Sequence, residues 1–65
     1  MTFEHMERLA RARARAGKAD EALELLEAAL TVDPGRALVA MADVARRAGA
    51  QTKAEAFEEV ASWLL

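Results

Sequence analysis

Apolar residues recur along this chain at steps of three and four, the spacing of one face of a helix. Phe3, Met6, Ala10, Ala14 and Gly17 line up in this way and predict a helix over about residues 2–16. Thr2 is placed to cap that helix, and Gly17 to end it in the left-handed conformation. The charges suit its dipole, with Glu4 and Glu7 early and Arg11, Arg13, Arg15 and Lys18 late. A second stripe, Ala22, Leu25, Leu26, Ala29 and Leu30, predicts a helix over about residues 19–31 with Glu21, Glu24 and Glu27 turned outward. Asp33-Pro34 marks a boundary. Proline disfavours a helical residue before it and fits the first position of a new helix, which leaves Asp33 as the cap. The third helix is expected over about residues 34–48, with Leu38, Met41, Ala42 and Ala45 inside and Arg46 and Arg47 at its end before Gly49. Thr52-Lys53-Ala54-Glu55 reads as a capping box that opens a fourth helix with Phe57, Val60, Ala61 and Leu64 as its apolar face. Short connections make consecutive helices antiparallel neighbours. The pattern predicts one all-α domain over residues 1–65, built of two antiparallel helical hairpins.

The two halves repeat. Leu9-Ala10 followed by Gly17 matches Met41-Ala42 followed by Gly49, and Glu21-Ala22-Leu23-Glu24 matches Glu55-Ala56-Phe57-Glu58 at a spacing of 34. On that second spacing Leu26 corresponds to Val60 and Leu30 to Leu64. Gly17, Glu21-Ala22, Leu26, Ala29, Leu30 and Asp33-Pro34, with Leu9-Ala10 before them, fall at the intervals of a known pattern. The chain resembles the tetratricopeptide repeat (TPR) family, whose unit is a helix-turn-helix of about 34 residues. The resemblance implies a right-handed arrangement, with repeat one at about residues 2–33 and repeat two at about 34–65, and a role in binding other proteins. The departures carry their own expectations. Arg13 stands where the family has a buried aromatic. The glycines are spaced by 32 and the Glu-Ala pairs by 34, which predicts a second hairpin turn about two residues longer than the first. Trp63 falls on the position of the small Ala29, which predicts a wider crossing in the second hairpin. The family's polar capping helix is missing, so the last helix is expected to leave an apolar face open.

Composition narrows the function. A core built from 65 residues leaves little net stability. There is no Cys to supply disulfides, and the single His, His5, has no cluster of ligand types around it. Efficient helix packing or association with another chain remains. With no Cys, no Gly-rich phosphate loop and no set of nucleophile, base and orienting group, neither catalysis nor a cofactor is expected. The net charge of -2 argues against nucleic acid and anionic membranes. No apolar run approaches the roughly 20 residues of a membrane span, and the first fifteen residues lack a signal peptide's apolar segment, so a cytoplasmic location is expected. Arg outnumbers Lys seven to two and Ala is abundant. Both Arg and Ala have GC-rich codons, which points to a high-GC bacterial source.

Two surfaces stand out as candidates. If the resemblance holds, the first helix of each hairpin lines a concave peptide-binding face, with Arg8, Arg11 and Arg15 beside Arg36, Asp43 and Arg47. Arg forks suit carboxylates, so an acidic peptide is the expected ligand. The plainer reading is a solvated face on which these arginines pair with Glu4, Glu7 and the acidic second helix. The other surface is the C-terminal apolar group Phe57, Val60, Trp63, Leu64 and Leu65. These residues either close the core or form the self-association surface of a homodimer. The expected function is a small adaptor or scaffold, with a homo-oligomerisation element as one alternative. A DNA-binding helix-turn-helix over residues 37–64 is another, since Ala42-Asp43-Val44-Ala45-Arg46-Arg47-Ala48-Gly49-Ala50-Gln51 looks like the start of bacterial repressor motifs. Its reading helix would present Glu55, Glu58 and Glu59, which phosphates repel.

Overall fold

The computed structural model describes residues 2–65. It contains four helices, α1 (Phe3–Arg15), α2 (Ala19–Ala29), α3 (Pro34–Arg47) and α4 (Gln51–Leu64), and no strand among the described residues. Among the described residues no helix is long and apolar enough to cross a membrane. Two of the helix starts are capped as the sequence predicts. Thr2 Oγ1 accepts from the His5 backbone N–H at 3.2 Å, and Asp33 Oδ1 accepts from the Arg36 N–H at 3.3 Å with Pro34 in the first turn. The expected capping box at Thr52 does not form. Helix α4 begins one residue earlier, at Gln51, after Ala50, and no side chain caps it. Gln51 instead donates along the helix to Glu55 at 3.2 Å.

The two hairpin turns are built alike. In the first, Gly17 (φ +80°) follows Ala16, the Lys18 N–H bonds to the Arg13 carbonyl at 2.9 Å, and the Gly17 N–H bonds to Ala14 at 3.0 Å. In the second, Gly49 (φ +84°) follows Ala48, with Ala50 bonded to Ala45 at 2.8 Å and Gly49 to Arg46 at 3.1 Å. Both are Schellman closures, in which a residue free of a Cβ takes the left-handed conformation. The extra length expected in the second turn is absent, because α4 starts as soon after Gly49 as α2 does after Gly17.

That equality resets the repeat. Shifted by 32 residues, the small buried positions within each hairpin coincide: Ala10 falls on Ala42, Ala22 on Ala54 and Ala29 on Ala61, with the half-buried Leu25 on Phe57. The counterpart of Ala29 is therefore Ala61, and Trp63 lies beyond the repeat in an added turn of α4. Trp63 is 73% exposed, and the crossing of α3 with α4 is built from small residues and is not widened by it. Of the apolar face expected on α4, Ala61 is buried, Phe57 is half-buried, and Val60 and Leu64 are exposed, while Ala54 is buried in their place.

The helices pack in chain order: α1 on α2, α2 on α3, α3 on α4, with a smaller contact between α1 and α3. The hairpins are antiparallel. Phe3 at the start of α1 meets Ala29 at the end of α2 and Ala37 at the start of α3, and Leu65 lies against Gly35, where an added Cβ would come within 2.6 Å of the leucine tip. Helix α3 is central, with Ala37, Leu38, Ala40, Met41, Ala42, Val44 and Ala45 all buried. Among the described residues, nine of the fourteen buried apolar ones are alanine, and Leu26 is the one large side chain that is fully enclosed. Alanine lets helix axes approach closely, so the core is thin and the fold spans 30 × 28 × 12 Å.

The 32-residue correspondence also shows what the two outer faces carry. On the first hairpin, Ala14, Leu23, Leu26 and Leu30 belong to the core that α3 completes. Their counterparts on the second hairpin are Arg46, Glu55, Glu58 and Ser62, all exposed. Arg46 Nη2 and Glu58 Oε1 form a 2.6 Å ion pair across this face. The hydrogen bond from Arg46 holds the Glu58 carboxyl below its ordinary pKa and raises that of the guanidinium. At the other end, the counterparts of the buried Ala37, Ala40 and Val44 are His5, Arg8 and Ala12, also exposed. The last helix does leave apolar residues open, Val60, Trp63 and Leu64 among them, but on a different side from these stacking positions, which are polar at both ends.

Candidate functional site

Helix α1 presents Glu4, Glu7, Arg8, Arg11 and Arg15 on one side, because these positions recur at three- and four-residue steps. Helix α3 runs beside it and adds Arg36, Asp43 and Arg47. The structure divides the six expected groove residues into two sets. Arg11, Asp43 and Arg36 are engaged within the fold. Arg11 Nη2 reaches Glu7 at 3.0 Å and Asp43 at 3.4 Å, which links α1 to α3. Arg36 lies over the Phe3 ring, 4.5 Å from its centroid, and within 3.7–4.0 Å of Glu4, Asp33 and Glu7. The stacking covers a buried aromatic and fixes the guanidinium plane. Pairing with Glu4 and Glu7, the plainer of the two expectations for this face, is realised for these two arginines.

Arg8, Arg15 and Arg47 make no ion pair among the described residues, and all three are exposed. Arg15 and Arg47, each at the last residue of its helix, stand over a recess of about 320 Å³. Arg11 forms one wall. Ala14, Gly17, Ala19, Val44 and Ala48 supply the rest of the lining. Arg15 and Arg47 each close their helix just before a Schellman turn, and small residues make up most of the rest of the lining. Its chemistry is an apolar floor with two unsatisfied guanidinium forks at the rim, suited to an apolar side chain flanked by carboxylates. Arg8 lies further along α1, outside this lining.

Val44 and Ala48 were not singled out by the sequence. Val44 could have been found as the residue one turn before Arg47 and Ala48 on the α3 stripe. The Arg46–Glu58 pair was also missed, because it depends on hairpin register. Among the described residues no group of His, Asp and Glu is arranged to hold a metal, and no buried side-chain polar atom lacks a partner.

The C-terminal apolar group divides as well. Phe57 packs against the core. Val60, Trp63, Leu64 and Leu65 are 37, 73, 54 and 79% exposed. On α4, Trp63 lies on the side turned away from α3, opposite the buried Ala54 and Ala61, and Val60 lies on the flank between.

Compared with known protein families, curated proteins and solved structures, the chain matches none.

Proposed function

We propose that this chain is a non-catalytic protein-interaction module of TPR-like design, an adaptor or scaffold that takes an acidic peptide segment in the recess between the ends of α1 and α3. The observation that supports this reading is the pair of unpaired guanidiniums, Arg15 and Arg47, set over an apolar floor. Exposed arginines that merely solubilise a helix have no need of such a floor. Affinity would come from an apolar side chain entering the recess and specificity from the forks at its rim. Arg11, already committed to Glu7 and Asp43, stiffens the wall. The exposed apolar side of α4 offers a second contact surface, at the opposite end of α3. Glu55, Glu58 and Glu59 are all exposed on α4, and this acidic surface weighs against the DNA-binding alternative.

The test is titration calorimetry with a short peptide that carries two or three acidic residues beside one leucine. Charge-assisted hydrogen bonds contribute about 1.5–3 kcal/mol each, so Arg15→Gln with Arg47→Gln should weaken binding by at least tenfold, and raised salt should weaken it in the parent chain. Equal binding by the parent and the double variant would sink the proposal.

A further inference from the structure

We infer that the exposed side of α4 binds a second copy of this chain, by two-fold antiparallel pairing of α4 with α4. This rests on the reading of the chain as an interaction module, and it names the partner of that module's second surface.

The surface is a seam. Lys53, Ala56, Val60 and Trp63 follow one another at steps of three, four and three, the spacing of the facing positions in paired helices. All four are exposed. Leu64 flanks the seam at 54% exposure. The buried Ala54 and Ala61 tie the opposite side of α4 to α3, so nothing in the fold obstructs the seam. Its largest residue lies outside the repeat: Trp63, with Leu64 beside it, occupies the turn that α4 adds beyond the position where α2 ends.

Charge selects the occupant and its direction. Lys53 is the only cation on α4 and makes no ion pair among the described residues. It stands in the first turn of the helix, where a positive charge opposes the dipole. Antiparallel pairing centred near Glu58 places Lys53 of each copy beside Trp63 of the other, at the negative end of the partner helix. There both the aromatic face and the dipole attract an ammonium group. The same register sets small Ala56 against the larger Val60, so the contact interdigitates. Parallel pairing would place Lys53 beside Lys53.

Geometry removes the other way for copies to associate. Head-to-tail stacking leads to open assemblies and would require the two end faces, which carry Arg46, Glu58 and Ser62 at one end and His5 and Arg8 at the other. A closed two-fold contact through α4 requires neither. The seam presents roughly 350 Å² of apolar surface per copy, taking about 200 Å² for a large side chain. Two such surfaces bring together roughly 700 Å² of apolar area, which with a polar rim stands at the small, weak end of specific interfaces, below about 1,200 Å² in total. A contact of this size is weak, so the dimer should form only in concentrated solution.

Sedimentation equilibrium from about 10 µM to 1 mM tests this, with the emission of the sole tryptophan read on the same samples. The expected result is a monomer–dimer equilibrium whose dimer fraction tracks a blue shift of Trp63. Trp63→Ser with Leu64→Ser should remain monomeric throughout while keeping the helical circular dichroism of the parent, because both residues lie outside the core. Lys53→Glu should weaken the dimer at least fivefold. A parent chain that is strictly monomeric at 1 mM overturns the inference, as does a dimer that survives the double serine change. The acidic-peptide titration, repeated on the serine variant, reads the other surface: binding retained there with dimerisation lost separates the two sites, and a dimer with no peptide binding sinks only the recess reading.

Discussion

Replacing Leu26 with alanine perturbs the one large side chain among the described residues that the fold encloses completely. Leu26 sits on α2 at the junction of the two hairpins, in the same cluster as Ala10 and Ala22 of the first and Leu38, Met41 and Val44 of the second. The change removes three carbon atoms. At about 0.8 kcal/mol per buried methylene the transfer loss is about 2.4 kcal/mol. A cavity that stayed fully open would add about 2 kcal/mol more. The fold is only 12 Å deep, and the neighbouring Leu23, Leu25 and Leu30 are partly exposed and free to shift inward. Partial collapse brings the expected cost to about 3 kcal/mol. A chain of this length has roughly 3–10 kcal/mol of total stability, so the variant should lose a large share of it. At 4–8 °C per kcal/mol for domains of this size, the melting midpoint should fall by about 12–24 °C. Urea and thermal melts followed by far-ultraviolet circular dichroism measure this directly. A loss below about 1 kcal/mol would mean that the hairpins do not share one core through α2 and α3, and the packing argument would fail with it.

Two further outcomes follow from the polar end face. Changing Arg46 to alanine and Glu55, Glu58 and Ser62 to leucine recreates on the second hairpin the apolar set of the first. The variant should form larger assemblies by light scattering at concentrations where the parent is monomer or dimer, and an unchanged particle size would show that this face is not open to a partner. The Arg46–Glu58 pair also sets a pH dependence. The folded-state pKa of Glu58 is depressed by the Arg46 hydrogen bond, so its stabilisation is present above the ordinary glutamate value of 4.5 and is lost as pH falls through the lower folded value. Both partners are exposed, so the effect is small and should shrink in high salt. Carbon-detected NMR titration should show the Glu58 carboxyl titrating below the ordinary glutamate value of 4.5, and a midpoint at or above that value would remove the pair from the account.

The four helices and their breaks were legible because their signals are local. Gly17 and Gly49 end helices through their own backbone freedom, and Asp33-Pro34 starts one through a cap and a ring. The repeat register was misread for a physical reason. Glu21-Ala22 and Glu55-Ala56 are alike in composition, so a spacing of 34 looks natural. A slip of two residues turns a helix by about 200° and exchanges its inner and outer faces. Ala56 is exposed where Ala22 is buried, and Ala54 is the buried partner. The error carried Trp63 onto a core position and hid the polar end face. Burial resolves the register because it reports which side faces a neighbour, which composition does not. The arginine face was legible as a stripe of charge. Which arginines are free was not, because Asp43 is 32 residues from Arg11 and their meeting depends on how α3 lies beside α1.

An interior made mostly of alanine gives this protein an unusual relation to mutation. Alanine has no rotamers to freeze on folding, and every replacement except glycine makes the side chain larger. At positions such as Ala10, Ala22, Ala29 and Ala54, each with no exposed surface, the hazard is therefore excess volume pushing helices apart. Selection at those sites acts as a ceiling on size. It tolerates serine or glycine more readily than the bulkier apolar residues that most protein interiors welcome.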